Sequence, residues 1–138
     1  MITHRADGYE IDTDPARIDV DLVHHWLSTD AYWALGRERD VVEQSIRASV
    51  NFGVHTSDGM VGYARVVSDL ATFGWLADVY VDRAHRGRGI GTWLAGAVRD
   101  YFQPYRLKRL MLTTADAHEV YAKVGFRPFP DPHKLMVL

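Results

Sequence analysis

The stretch Arg86-Gly87-Arg88-Gly89-Ile90-Gly91 decides how the rest of this chain is interpreted. The segment before it, Phe73–Val81, is rich in β-branched and aromatic residues and predicts a long strand. After it, apolar residues recur at helical spacing until the pattern stops before Pro104. A glycine turn between a strand and a helix exposes main-chain amides at the helix N-terminus, so we expect this turn to bind a phosphate or pyrophosphate.

Two common nucleotide-binding motifs fit the turn poorly. A dinucleotide-binding turn needs G-x-G-x-x-G, but counting from Gly87 the last glycine position holds Thr92. A P-loop needs a lysine after its glycine, and Thr92 follows Gly91 directly. Two alternatives remain: an ordinary glycine-rich turn with solvated arginines, and a regulatory nucleotide-binding domain.

Length and composition predict a single domain spanning residues 1–138. The chain is 47% hydrophobic, its formal net charge is −2, and it has no cysteine. A chain of this size buries enough surface for a core without metal or disulfide support. The lack of cysteine excludes thiol nucleophiles, disulfides and Cys-ligated zinc. The first residues lack the apolar run of a signal peptide, and no stretch approaches the ~18 apolar residues of a membrane span, so we expect a cytoplasmic protein that does not bind membranes.

The charges are distributed unevenly along the chain. Residues 1–69 carry 12 acidic and 6 basic side chains, whereas residues 70–138 carry 6 acidic and 10 basic ones. A general nucleic-acid binder shows a strong basic excess, so the near-neutral sum argues against nucleic acid as a partner. The basic second half is compatible with a local anion site, and the acidic first half favours a cationic partner.

A coarse pass along the chain predicts alternating helices and strands. Asp19 is placed to cap a first amphipathic helix. Asp40 with Glu43 resembles a capping box for a second helix that turns Val42, Ile46 and Val50 inward. The other predicted elements are a strand at 9–12, a hairpin of strands 51–56 and 60–67, a strand at 107–113, a helix at 116–124 that Gly125 ends, and two short strands within 126–138. This order predicts an α+β domain on a mixed sheet.

Two motifs in this order resemble the GNAT superfamily of N-acetyltransferases. Residues 86–91 resemble the R-x-x-G-x-G acyl-CoA signature of that family, and the preceding strand is in place. Residues 117–126 resemble its A-x-x-x-Y-x-K-x-G-F segment, which includes Tyr121. The family often has Asn where this chain has Thr114 and Pro where it has Arg83. The resemblance implies a mixed, mostly antiparallel central sheet of six to seven strands flanked by about four helices.

The resemblance also implies acetyl-CoA as the cosubstrate. Main-chain amides around Val79, Tyr80 and Val81 would hold the thioester carbonyl and the pantetheine arm. The Thr114 hydroxyl would contact the same arm. The pyrophosphate would lie against the residues of the turn: Arg86, Gly87, Arg88, Gly89, Ile90, Gly91 and Thr92.

Acetyl transfer from a thioester to an amine needs a neutral amine and a proton donor for the departing sulfur. By resemblance Tyr121 is the candidate general acid, and a core tyrosine at helical spacing is the alternative. Asp78 is the candidate base because it lies just before the stretch that would bind the carbonyl. A buried carboxylate satisfied by the backbone is its equally weighted alternative.

The acceptor amine would lie, by resemblance, against the connection between the first two helices. Asp30, Tyr32, Trp33 and Arg37 are the candidate acceptor-binding residues, unless the aromatic rings only pack a helix junction. We expect transfer to a primary amine, small and cationic, by direct attack in a ternary complex; a non-catalytic acyl-CoA sensor is the alternative. The seven histidines lack metal-ligand spacing, so we expect no metal. The apolar residues 135–138 could extend an edge strand and pair two copies as a homodimer.

Overall fold

The computed structural model describes residues 1–138 and contains one six-stranded sheet with the strands in sequence order. All neighbouring strands are antiparallel except the last pair, which is parallel. The strands are β1 (Ile2–His4), β2 (Glu10–Asp12), β3 (Val50–Thr56), β4 (Gly59–Ser68), β5 (Phe73–Val81) and β6 (Arg109–Met111). The α-helices are α1 (Val20–Thr29), α2 (Arg39–Arg47), α3 (Ile90–Phe102) and α4 (His118–Ala122). The expected α+β fold with a mixed, mostly antiparallel sheet is confirmed.

Two apolar clusters cover the two faces of the sheet. Neighbouring residues of β4 belong to different clusters, because side chains alternate along a strand. Ala64 packs in the cluster with α3, whereas Tyr63 packs in the cluster with α1 and α2. The sheet therefore lies between α3 on one face and the α1–α2 pair on the other.

The N-terminal helices follow the sequence pattern with one exception. Asp19 caps α1 as predicted, its carboxylate accepting from the Leu22 amide at 3.0 Å. The predicted capping box of α2 is wrong, because the helix begins at Arg39 and its N-cap Glu38 makes no side-chain capping bond. Glu43 instead pairs along the helix surface with Arg39 and Arg47. Val42 and Ile46 are buried as expected, but Val50 belongs to β3.

A gap opens beside the second half of β5. Only residues 73–75 of β5 pair with β6, so residues 76–81 have no strand partner on that side. On the other side, the register between β4 and β5 shifts between Tyr63 and Arg65, which makes a bulge in β5. Asp78 lies in this bulge with a positive φ of 54°. The gap and the bulge together place the candidate site.

The C-terminal segment departs most from the sequence prediction. β6 and α4 are shorter than predicted, although Gly125 ends the helical segment with φ 104° as expected. The two predicted strands within 126–138 are absent, because three prolines interrupt the segment and remove backbone donors. Residues 135–138 are exposed and form no strand, so the proposed edge pairing of two copies has no strand to form it. None of the helices has the length and apolar character needed to cross a bilayer.

Candidate functional site

Two adjoining cavities occupy the gap beside β5. The first, of about 590 Å³, lies between the bulge of β5 and the α1–α2 connection. The second, of about 530 Å³, lies beneath the glycine turn. They share six lining residues, which are Tyr32, Trp33, Val79, Asp116, Ala117 and Tyr121. A molecule that fills the second cavity therefore meets a molecule in the first beside Tyr121 and Val79.

The glycine turn gives the second cavity the chemistry of an anion site. Gly87 and Gly89 have positive φ values of 79° and 73°, which an L side chain adopts only with strain. The N-terminus of α3 has no side-chain cap, and its first main-chain bond joins the Trp93 amide to the Gly89 carbonyl at 3.0 Å. The amides of residues 90–92 therefore have no partner within the helix and are suited to phosphate oxygens.

The arginines around this turn have different partners. Arg86 donates to the Val81 carbonyl at 2.8 Å and lies over the Tyr80 ring at 5.0 Å from its centroid. Arg88 donates to the Tyr9 hydroxyl at 3.1 Å and does not line the cavity, so only its backbone belongs to the turn. Arg83 and His85 do line the cavity, and the sequence motif did not identify them.

Asp30 lies on the side of the second cavity, away from the acceptor position predicted for it. Its carboxylate accepts from the Tyr80 hydroxyl at 2.6 Å and from Arg83 Nε at 2.9 Å, with Arg86 at 3.5 Å. The Arg83 hydrogen bond, with that of Tyr80, holds the pKa of Asp30 well below its usual range. Asp30 therefore pairs with the arginines beside the turn and lines the second cavity but not the first, and its predicted role in acceptor binding stays a prediction.

Tyr121 is placed between the two cavities. α4 presents it next to Asp116, and its ring packs edge-on against Phe126 with centroids 5.9 Å apart. Burial, with smaller effects of Tyr32 and Asp116, raises the pKa of Tyr121 to about 12. The phenol keeps its proton at neutral pH and can donate a hydrogen bond into either cavity.

Asp78 is buried beneath the first cavity and fully engaged. Its carboxylate accepts from Trp33 Nε1 at 2.8 Å, Arg37 Nη1 at 2.7 Å and Arg65 Nε at 2.6 Å. Burial alone would raise the pKa of Asp78, but the hydrogen bonds and charges of Arg65 and Arg37, together with Trp33, hold the pKa below its ordinary value. Such a carboxylate is a poor proton acceptor, so the geometry disfavours Asp78 as a base and favours it as an ion-paired anchor.

The α1–α2 connection forms the wall between the cavities. The Tyr32 hydroxyl accepts from the Ala115 amide at 3.2 Å, and its ring meets Trp33 edge-on with centroids 4.9 Å apart. Thr114 lines the first cavity and accepts from the Ala117 amide at 3.0 Å. The structure thus brings Tyr32, Trp33 and Arg37 to one cavity.

Arg65 is a further site residue that motif reasoning missed. It projects from β4 to Asp78 and also donates to the Ser49 hydroxyl at 3.2 Å. The one signal in the sequence is its position as the only charged residue in the run 60–67, which is otherwise apolar or glycine. A charge at such a position usually has a partner in the fold.

Comparison with known proteins agrees with this architecture. The model of the acetyltransferase (GNAT) family matches residues 20–126. The chain belongs to the GNAT acetyltransferase family. It is 30% identical over 135 residues to a Gibberella zeae protein whose name assigns it provisionally to the acetyltransferases, covering 83% of this chain and 76% of that protein.

Solved GNAT structures share the fold. A GNAT-family protein from Xanthomonas campestris pv. campestris is 38% identical, with a TM-score of 0.89 covering 100% of this chain and 94% of the other. The N-acetylglutamate synthase of Neisseria gonorrhoeae, solved with coenzyme A and N-acetyl-glutamate, is 18% identical with a TM-score of 0.72. That likeness covers 95% of this chain but 32% of the synthase, and it concerns the fold alone.

Proposed function

We propose that this GNAT protein transfers an acetyl group from acetyl-CoA to a primary amine of a small molecule by direct attack in a ternary complex. The observation that carries the proposal is the meeting of the two cavities at Tyr121 and Val79. One cavity has the donors for a pyrophosphate and the other has room for a small acceptor. Both substrates then reach one phenol without a covalent enzyme intermediate.

The residues present fit acetyl-CoA. The uncapped amides at the start of α3 and the Arg86 guanidinium supply donors for the pyrophosphate. An added Cβ at Gly87 would meet nothing within 4 Å, so the backbone is open to a ligand there. The Val61 carbonyl accepts from the Asp82 amide, which turns the amide of the preceding Val81 away from β4 and toward the gap. We assign the thioester carbonyl and the pantetheine arm to the amides of this stretch, with Val79 at the junction of the cavities.

Tyr121 acts on the departing sulfur. As the bond from nitrogen to the acetyl carbon forms and the carbon–sulfur bond breaks, negative charge develops on sulfur. The phenol has a pKa of about 12, whereas a thiol ionises near pH ~8.5, so Tyr121 stabilises the sulfur chiefly as a hydrogen-bond donor. An incoming ammonium loses two protons, one before and one after it attacks the acetyl carbon. Both pass to water in the open cavity, and one of them is taken up by the sulfur to give the thiol of coenzyme A. Asp116, exposed at the shared wall, places a negative charge beside the incoming ammonium.

Thiol release tests the proposal directly. The chain contains no cysteine, so a thiol reagent reports released coenzyme A without a signal from the protein. With a panel of primary amines, we expect Tyr121→Phe to lower kcat about a hundredfold while the KM for acetyl-CoA stays within about twofold. Tyr105→Phe is the matched control, because Tyr105 lies on the surface outside both cavities.

Steady-state patterns separate the alternatives. A ternary complex gives intersecting double-reciprocal lines, whereas a covalent intermediate gives parallel ones. Tight acetyl-CoA binding without acceleration by any amine would favour the acyl-CoA sensor. Equal activity of Tyr121→Phe and the wild type would exclude Tyr121 from the chemistry.

A further inference from the structure

The first cavity has more positive than negative charge at its floor. Arg37 and Arg65 both contact Asp78, so two guanidiniums share one carboxylate. Only 1% of the Asp78 side chain is exposed, against 21% for Arg37 and 15% for Arg65. A ligand entering this cavity therefore meets the guanidiniums, while the carboxylate is covered by them.

Both arginines have N–H groups that donate to no acceptor in the protein. Arg37 uses only Nη1, on Asp78. Arg65 uses Nε on Asp78 and Nη1 on Ser49. The Nε and Nη2 groups of Arg37 and the Nη2 group of Arg65 are left for a further acceptor, since a guanidinium carries five N–H donors. A partly buried cation without a full counter-charge is costly, so an anion bound here would be stabilised.

The fourth charged residue of this cavity, Asp116, lies beside Tyr121. Of the residues lining the first cavity, only Arg37, Arg65, Asp78 and Asp116 are charged. Asp116 also lines the second cavity and is close enough to raise the pKa of Tyr121. The cavity is thus polarised, with a negative group beside Tyr121 and a surplus positive charge at the bulge of β5. Apolar groups such as Trp33, Trp75 and Leu112 complete its walls.

We infer that the acceptor carries a carboxylate as well as the amine, and that Arg37 and Arg65 bind this carboxylate. This inference rests on the proposed function. A planar carboxylate fits the guanidinium fork with two parallel hydrogen bonds. The ammonium then faces Asp116 and Tyr121, and the carbon chain crosses the apolar walls. A cavity of about 590 Å³ holds a molecule of amino-acid size. The substrate class is a small amino carboxylic acid rather than a polyamine.

Matched acceptor pairs test this inference. Each amino acid is compared with the amine that lacks its α-carboxylate, for example lysine with cadaverine and phenylalanine with phenethylamine. We expect kcat/KM to favour the carboxylate member by about tenfold or more, because charge-assisted hydrogen bonds to a guanidinium are lost in the other member. Arg37→Gln should raise KM for the amino acid about tenfold with kcat within about twofold, so that the preference in kcat/KM for the amino acid over its decarboxylated amine falls about tenfold. Arg37→Lys should raise KM for the amino acid less than Arg37→Gln does.

Arg47→Gln is the control variant, because Arg47 lies on the exposed surface of α2 and pairs only with residues of its own helix. Thermal unfolding of each variant verifies that the fold is retained. Equal or better turnover of the decarboxylated amines, or an Arg37→Gln loss that is the same for both members of a pair, overturns the carboxylate site and leaves acetyl transfer standing.

A binding measurement covers the case in which no acceptor turns over. Coenzyme A-loaded protein is titrated with N-acetyl amino acids and with the matching N-acetyl amines in a calorimeter. Binding of the acids alone, abolished by Arg37→Gln, supports the carboxylate site even if transfer fails. Equal heats for both classes, or none for either, overturn it.

Discussion

Replacing Asp78 by Asn tests the central ion pair of the site. The substitution keeps the shape and one carbonyl acceptor for Trp33, but it removes the charge that two guanidiniums share. The positive φ of 54° adds no penalty, because Asn tolerates that backbone region as well as Asp does. The change in stability therefore reports on the charge itself.

The structure sets the size of the effect. Removing one partner of a buried ion pair costs about 3–5 kcal/mol. Here the guanidiniums keep 21% and 15% exposure, so water recovers part of that loss, and we expect about 2–3 kcal/mol less unfolding free energy. With a urea slope near ~2 kcal/mol per M, the midpoint falls by roughly 1–1.5 M. Asp21→Asn is the control, because its pair with Arg39 is exposed and contributes under ~1 kcal/mol.

The pH dependence gives a second, signed test. The pKa of Asp78 is lowered in the folded state, so its contribution is complete above the unfolded value near ~3.9 and is lost as pH falls through the folded pKa. The difference between wild type and Asp78→Asn should therefore shrink in acid. Urea titrations at neutral pH and near pH ~3 measure both effects. An Asp78→Asn midpoint shift no larger than that of Asp21→Asn would refute the shared ion pair.

Four further outcomes follow from other parts of the molecule. Gly89→Ala forces a side chain into the left-handed region at φ 73°, so unfolding free energy should fall by about 1–2 kcal/mol and coenzyme A should bind more weakly, as calorimetry would show. Gly96→Ala within α3 should instead stabilise by roughly 0.5–1 kcal/mol, since its Cβ would meet Val124 at an ordinary 3.6 Å; destabilisation would contradict the helix packing. The Tyr121→Phe deficit in kcat should stay constant between about pH 7 and 9, because a phenol with pKa about 12 titrates above that range. Truncation after Lys134 should leave unfolding free energy within ~0.5 kcal/mol, because residues 135–138 are exposed.

The strands, turns and helices whose signals lie in residues close together in the sequence were predictable. β5, the glycine turn and α3 were located correctly because alternation, glycine placement and helical spacing are local signals. The hairpin with its turn at residues 57–59 was found for the same reason, and Gly59 in that turn has a positive φ of 131°.

Contacts between distant residues were not predictable in this way. Asp30 and Arg83 are 53 positions apart, and Asp78 and Arg37 are 41 apart, so no local pattern links them. Asp30 was expected to face the acceptor. Asp78 was expected, with equal weight, to be a base or a buried carboxylate satisfied by the backbone. Each is instead paired with arginines. β1 was missed and two C-terminal strands were wrongly expected, because pairing at a sheet edge depends on what lies beside it.

The short pairing of β5 with β6 affects which part of the domain undergoes local unfolding most easily. Three paired residues join the last strand to the sheet, whereas the strands from β3 to β5 pair along most of their length. The part of the chain that carries Tyr121 is therefore expected to undergo local unfolding at lower free energy than the centre. A ligand lodged in the gap stabilises that part by mass action, so amide hydrogen exchange of residues 109–122 should slow on saturation with coenzyme A, more than that of β4. In this domain, substrate binding and the ordering of the segment that carries Tyr121 would be one equilibrium.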